Sequence, residues 1–308
     1  MKTLWSKLAL GLALGLAGVV ASYSDLISRW RGQLKGAFVP QTDYDVIIIG
    51  SGAGGLAAAL SLAQAGMKVL VCEQHEVPGG WTHSFTLQGY RFSPGVHYIG
   101  GLQPGGHMRR IYEGLGVSQD LEFCELNPDG YDHVVIGEER FDFPRGKEEL
   151  AARLKDRFPH EAAGIDGYLN AVSDLMESLR ALGRVNSPGR AVQAVGHAGS
   201  VLRWAMRSGQ DLIERHVSDP VLKGILAGQS GDHGLPPSQV SAFFQAGITH
   251  HYFDGGYYPR GGGFAIPRAF VRALKRDGGE IRLQTSVEKI LLEGKRAVGV
   301  RLADGNEI

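Results

Sequence analysis

Residues 44–80 read YDVIIIGSGAGGLAAALSLAQAGMKVLVCEQHEVPGG. The apolar run Tyr44-Asp45-Val46-Ile47-Ile48-Ile49 stops at Gly50, and Lys68-Val69-Leu70-Val71-Cys72-Glu73 is a second run of the same kind. Short, β-branched and uninterrupted, both predict strands buried in a parallel sheet. Between them, Leu56 to Ala65 is rich in Ala and Leu and ends at Gly66, which predicts a helix and its stop. Strand, helix and strand in so short a span form a βαβ unit. The turn, Gly50-Ser51-Gly52-Ala53-Gly54-Gly55, fits G-x-G-x-x-G. That pattern is weak alone and gains weight from a strand before it and a helix after it. Gly50 permits the tight turn, Gly52 lets backbone approach a pyrophosphate, and Gly55 lets helix and strand pack closely. The pyrophosphate is expected at the helix N-terminus, where unpaired N–H groups and the dipole favour negative charge. Glu73 ends the second strand, where a carboxylate accepts hydrogen bonds from ribose. Gly50, Ser51, Gly52, Ala53, Gly54, Gly55, Glu73 and the adjoining Gln74 are thus the expected dinucleotide contacts.

The rest of the 308-residue chain is consistent with two domains. Its 32 basic and 32 acidic residues cancel, so no global field favours nucleic acid, and none is expected as a partner. Glycine is abundant: 45 residues, about twice the roughly 7% of average usage. The glycines cluster at 50–55, 79–80, 100–106 and 255–263, a pattern of loops where backbone meets ligand closely. Cys72 and Cys124 make neither a disulfide framework nor a metal-ligand spacing, and Cys72 is expected to be a buried strand residue. No Gly-x-Ser-x-Gly elbow or phosphate-binding Walker loop is present, so acyl hydrolysis and phosphoryl transfer find no support.

The N-terminus stands apart. Lys2 and Lys7 precede the uncharged run Leu8 to Ser24, and Arg29, Arg31 and Lys35 follow it. The run is at the short edge of what spans a bilayer. Val19-Val20-Ala21 before Ser22 also resembles a signal-peptidase site. A membrane anchor and a cleaved export signal are both open. Charge flanks both ends, so orientation is not defined.

Downstream, a polar linker ends near Thr42. From Lys147 to about Ser218, apolar residues such as Leu150, Leu154, Phe158, Tyr168, Leu169, Val172, Leu175 and Leu179 recur at helical spacing, punctuated by Pro159, Pro188 and Pro220. Phe264 to Lys275 predicts another helix, Ile281 to Gln284 and Ala297 to Leu302 predict strands, and Asp304-Gly305 predicts a turn. A strand pair ending LADGNEI calls for a further strand after that turn, so the sequence is expected to be a fragment of a longer protein.

The residues just beyond Glu73 separate FAD from NAD. The Pro78-Gly79-Gly80 extension resembles the dinucleotide signature of the amine-oxidase and phytoene-desaturase superfamily, whose cofactor is FAD. The glycine pair would keep side chains clear of phosphate and flavin. Two further stretches are similar to the retinol saturase and carotenoid isomerase branch: Gly79-Gly80-Trp81-Thr82-His83-Ser84-Phe85 with Gly89-Tyr90-Arg91-Phe92-Ser93-Pro94-Gly95-Val96-His97-Tyr98-Ile99-Gly100, and Gly255-Gly256-Tyr257-Tyr258-Pro259-Arg260-Gly261-Gly262. The resemblance covers most of residues 44–308. It implies an α/β fold: a Rossmann-like FAD-binding (ββα) domain with an inserted α+β substrate or cap domain. The expected division is a membrane anchor or signal at 1–24, a linker at 25–42, FAD-binding parts at 43–112 and 255–308, and a substrate or cap region at 113–254. It further implies an FAD-dependent oxidoreductase that saturates or isomerises a conjugated double bond of an apolar polyene, with NAD(P)H as a candidate reductant. Such proteins usually run much longer, with a second glycine-rich flavin contact in their C-terminal part. By the same resemblance, Val287 contacts adenine through its backbone.

Histidines 83, 97, 107, 250 and 251 lie near the glycine clusters and could move protons. His97, inside the family-like block, is the leading candidate for catalysis, with Tyr258 beside it as a residue lining an apolar channel or a strand core; Tyr257 shares that choice. His250-His251 has no third ligand at useful spacing, so no metal is expected. Alternative readings are a carotenoid desaturase or amine oxidase of the same superfamily, a prenyl-binding chaperone resembling the GDP-dissociation inhibitors, and an NAD-dependent dehydrogenase. The intact glycine loop with Glu73 weighs against the chaperone, and Pro78-Gly79-Gly80 weighs against the dehydrogenase. Oligomeric state is not indicated.

Overall fold

The structure is a computed structural model that describes residues 43–183 and 185–308. The expected anchor and linker, 1–42, lie outside the described residues. Among those described, no helix is long and apolar enough to cross a membrane. The chain divides into two units, one of 43–125 with Tyr257–Ile308 and one containing Leu126–Gly256.

The first unit opens with strand β1 (Val46–Ile49), helix α1 (Ala53–Gln64) and strand β2 (Val69–Cys72). β1 and β2 pair in parallel with Val46 opposite Val69 and Ile49 opposite Cys72, as the βαβ reading requires. β2 is buried along its whole length, Cys72 included. β1 is not fully buried as expected: it lies at an edge of its sheet, and Ile49 is 49% exposed. A hairpin of β3 (Phe85–Leu87) and β4 (Tyr90–Phe92) follows, with Phe85 stacked on Phe92 at 5.5 Å. Helix α2 (His107–Gly114) and strand β5 (Phe123–Glu125) complete this segment. The expected boundary between 112 and 113 cuts α2, and the division instead falls after β5, which pairs with a strand of the returning segment.

The second unit begins with a hairpin of β6 (Asp132–Ile136) and β7 (Glu139–Phe143), turned at Gly137 with φ 62°. Six helices follow: α3 (Lys147–Arg157), α4 (Ala162–Gly183), α5 (Pro188–Trp204), α6 (Gly209–Glu214), α7 (Pro220–Leu226) and α8 (Ala242–His251). Helix therefore extends past the expected end near Ser218. Pro159 opens a 3-10 turn, and Pro188 and Pro220 begin helices, where their missing N–H costs nothing. Leu150, Leu154, Phe158, Tyr168, Leu169, Val172 and Leu175 are buried as their spacing predicts. Asp219 caps α7 by accepting from the N–H groups of Val221 and Leu222. Glu161 accepts from Ser218 and Asp219 N–H just ahead of that helix.

The chain then returns to the first unit with β8 (Tyr257–Pro259), α9 (Ala265–Arg276), β9 (Glu280–Arg282), β10 (Val287–Glu293) and β11 (Arg296–Leu302). β8 pairs antiparallel with β5, and β9 adds in parallel to β2, giving the order β1-β2-β9. β9 ends at Arg282 rather than Gln284, whose φ of 52° breaks the strand. Val287 begins β10, which pairs with β11. After the turn near Asp304, Asn306 and Ile308 fold back onto β11: Leu302 N–H donates to Asn306 O at 2.8 Å and Ile308 N–H to Val300 O at 3.0 Å. Two apolar clusters hold α1 in place. Leu56 and Leu60 face Tyr112, Tyr257, Ile266, Phe270 and Ala273, while Ala59 and Ala63 face Val69, Val71 and Leu274.

Candidate functional site: a dinucleotide cradle

The cradle is built where β1 hands the chain to α1. Gly50 takes φ 91°, open to glycine at little cost. Gly52 is the residue before the helix and supplies no side-chain cap. The first helical hydrogen bond is Leu56 N–H to Gly52 O at 2.9 Å. The N–H groups ahead of it have no partner within the helix itself and form an anion-binding end. Ala53 and Gly54 are exposed there.

Each glycine of the motif has its own reason. A Cβ on Gly52 would meet nothing within 4 Å, so open space lies in front of that backbone. A Cβ on Gly55 would stand 2.2 Å from the carbonyl oxygen of Gly50, so close packing of helix on strand demands glycine. Gly79 has φ 119° and a Cβ there would meet Pro267 of α9 at 2.7 Å. A Cβ on Gly80, with φ 53°, would lie 3.1 Å from the Cα of Gly52. Gly52 and Gly79 are bridged in parallel, so the Pro-Gly-Gly turn lies against the phosphate loop. The space in front of Gly52 and the uncapped helix end fit the pyrophosphate of a dinucleotide.

Glu73 is 4% exposed and fully engaged at one oxygen. Its Oε2 accepts from Ser51 N–H at 2.7 Å and Ser51 O–H at 2.5 Å, and its Oε1 accepts from His75 N–H at 2.9 Å. A carboxylate has about four acceptor positions, which leaves one for a ribose hydroxyl. Burial pushes the Glu73 carboxyl up, but the bonds from Ser51 and His75 outweigh it and hold the pKa below the ordinary carboxylate value. Ser51 itself was expected only as part of the loop. Its Oγ also accepts from Gly79 N–H at 3.1 Å, so one hydroxyl joins the phosphate loop, the end of β2 and the Pro-Gly-Gly turn.

Val287 lies close in the chain to this corner. Thr285 N–H donates to Glu73 O at 2.7 Å and Gln284 N–H to His75 O at 3.0 Å, so residues 284–285 run beside the acidic residue, two positions ahead of Val287. Gln74 is exposed.

The two glycine-rich blocks also meet. Ile99 and Tyr257 exchange backbone hydrogen bonds at 2.8 and 2.9 Å. Ser93 Oγ accepts from Tyr258 O–H at 3.0 Å and Gly263 N–H at 3.1 Å, and lies 3.4 Å from Ser84 Oγ, which accepts from Phe264 N–H at 3.2 Å. This serine joint escaped the sequence reading, because isolated serines carry no local signal. Tyr257 is buried core, while Tyr258 is half-buried. His97 is exposed between buried Val96 and half-buried Tyr98. His83 lies by the cradle, its Nδ1 2.5 Å from Gly80 O, and the His107 ring packs on Gly101. His250 and His251 belong to the other unit, His250 beside Arg180 at 3.3 Å. Among the described residues no cluster of three His, Cys, Asp or Glu could hold a metal.

Comparison with known proteins agrees with this geometry. The family model described as Flavin containing amine oxidoreductase matches residues 53–308. The chain is 33% identical to the All-trans-retinol 13,14-reductase of Danio rerio, over 87% of this chain and 46% of that protein. It is 28% identical to the chloroplastic Prolycopene isomerase of Arabidopsis thaliana, over 86% of this chain and 46% of that one. The chain thus spans about half the length of the curated relatives it matches. Among solved structures it resembles the cyclohexylamine oxidase of Brevibacterium oxydans, with a TM-score of 0.57 and 20% identity over 87% of this chain and 56% of that one, a likeness of fold. The expected α/β, Rossmann-like architecture is the one found, and the chain belongs to the flavin-containing amine oxidoreductase family.

Proposed function

We propose that this chain is an FAD-dependent oxidoreductase that acts on an apolar polyene, a retinoid or carotenoid, and saturates or isomerises a conjugated double bond. The observation that carries the reading is the paired likeness to a retinol reductase and a prolycopene isomerase over most of the chain. Those two named reactions differ in outcome and share a conjugated polyene chain. When bound, FAD supplies the exchange of an electron pair with the polyene. The protein's own residues hold and orient it. N–H groups of Ala53 to Gly55 in the first turn of α1 face the pyrophosphate, on a turn fixed by Gly50 N–H bonded to Cys72 O and Ser51 N–H bonded to Glu73. Glu73 takes a ribose hydroxyl with Gln74 beside it, and the Val287 backbone meets adenine. Gly79 and Gly80 keep the flavin side of the loop clear. His97, exposed, is the proposed proton donor to the polyene carbon. Tyr258, fixed by its bond to Ser93, lines the approach to the reacting bond. NAD(P)H is the proposed reductant. The apolar run Leu8 to Ser24 is proposed to bring the chain to a membrane, or to direct its export, and a polyene concentrates in lipid.

The test begins with the visible spectrum of the chain after incubation with FAD and removal of excess. The flavoprotein is then reduced with light, mixed with all-trans-retinol or prolycopene, and its products are resolved by chromatography and mass. A gain of two hydrogens means saturation, and a new retention at unchanged mass means isomerisation; either is expected. A parallel incubation keeps the flavin oxidised, so that it can accept an electron pair: loss of two hydrogens from a polyene there would make the chain a desaturase, and oxidation of an amine in place of both polyenes would make it an amine oxidase. Recovery of every substrate unchanged by a flavin-retaining chain would sink the reading. Bleaching of the flavin bands by NADPH or NADH tests the reductant.

A further inference from the structure

Between Glu177 and Asp211 the sequence holds no acidic residue and five arginines: Arg180, Arg184, Arg190, Arg203 and Arg207. Helix α5 lies inside this stretch. Its buried side is clear: Ala194 and Trp204 are 4% exposed, and the Ser178 hydroxyl lies 3.3 Å from Nδ1 of His197, tying α5 to α4. Its outer side carries Val195 and Leu202, continued by Met206 in the turn beyond. These are 70%, 74% and 78% exposed. With exposed Gly199, they follow steps of four, three and four, which aligns them in one row along a helix. Exposed Arg203 and Arg207 come one position after Leu202 and Met206, so they flank the row. An apolar row beside a basic flank is the arrangement of helices that lie in a membrane interface.

We infer that this face of α5 docks the protein on the surface of an anionic lipid bilayer, with Val195, Leu202 and Met206 in the acyl boundary and Arg203 and Arg207 on headgroup phosphates. Charge selects this occupant over a second copy of the chain. A twofold interface sets the same patch against itself. That would oppose arginine to arginine; the carboxylate that Arg207 does influence, Asp211, already accepts from the N–H and O–H of Ser208 at its Oδ2. Phosphates of an anionic leaflet supply that missing charge, and long arginine stems reach them while the apolar row stays in lipid. Docking of this kind does not depend on the polyene assignment.

Hydrogen exchange of the full chain, followed by mass, tests it with vesicles of phosphatidylcholine alone or mixed with phosphatidylserine. Exchange across 188–207 is expected to slow roughly twenty-five-fold on the mixed vesicles and hardly at all on neutral ones, since each of the two arginines near an anionic surface is worth about a fivefold change. Leu202→Glu with Met206→Glu abolishes that protection. Both sites are solvent-exposed, so the variant keeps its fold, which retention of FAD and an unchanged melting temperature check. Unchanged exchange at 188–207 in chains that float with the vesicles would overturn the inference and leave the N-terminal run as the contact. Protection that rises with protein concentration without lipid would overturn it in favour of self-association. Equal protection on neutral vesicles would overturn the anionic assignment.

Discussion

Ser51 and Gly55 sit four positions apart in the same loop and answer to different forces. Ser51→Ala removes the hydroxyl that donates to Glu73 Oε2 at 2.5 Å. A hydrogen bond to a buried charge is worth about 1–3 kcal/mol, so loss of stability in that range is expected by denaturant titration. The pH dependence has a definite sign. Glu73 is held below the ordinary value of 4.5, so its contribution is complete above that pH and is lost as pH falls through the lowered folded-state value. Ser51→Ala removes a bond that lowers this pKa, so acid release of FAD, followed by flavin fluorescence, starts at higher pH in the variant. Gly55→Ala acts by volume. Its Cβ would stand 2.2 Å from the carbonyl of Gly50, and overpacking of this kind costs about 1–3 kcal/mol. A lowered melting temperature with weakened FAD retention is expected. The need for glycine at 55 was legible in the motif. The role of Ser51 was not, because a serine reports nothing of a carboxylate 22 positions further on until β1 and β2 are paired.

Elements were most legible where a single periodicity ruled. β1, α1 and β2 lie within one turn or less of their expected limits, and α9 spans Ala265–Arg276 against an expected Phe264 to Lys275. The β3–β4 and β6–β7 hairpins were missed, because strands of three to five residues are too short to show alternation. Burial was also misjudged for β1: an apolar run is equally consistent with a central strand and with an edge. Ser93→Ala tests the joint between the two glycine-rich blocks. It strips acceptors from Tyr258 O–H and Gly263 N–H, and a loss of about 1–2 kcal/mol is expected for unmade, partly buried bonds, read as a lower urea midpoint. In the other unit, Asp219→Ala removes the cap of α7. It should cost about 1 kcal/mol, with the melting temperature lowered and FAD retention unchanged, since Asp219 and the cradle belong to different units.

At the scale of the whole molecule, the cradle unit is discontinuous in the chain, 43–125 with Tyr257–Ile308. β2 pairs with β9 and β5 with β8 across that gap, so the two segments should open as one cooperative unit. FAD at a hundred times its Kd adds about 2.7 kcal/mol to whatever binds it. Hydrogen exchange should therefore slow together in β2, β5, β8 and β9 when FAD is added; slowing confined to 43–125 would show that the segments open independently. The sequence by itself determined the βαβ unit, its glycine turn, the acidic end of β2 and the FAD-type extension. These signals are local: steric freedom at a glycine and the period of a strand or helix are written in neighbouring residues. Only the tertiary structure decided that Ser51 clasps Glu73 and Gly79, that Pro267 closes on Gly79, and that Ser93 meets Tyr258. It alone decided that Val195, Leu202 and Met206 face outward while Trp204 faces in. Those facts depend on which surfaces far apart in the chain share a core, and contact of that kind follows from packing rather than from any spacing along the sequence.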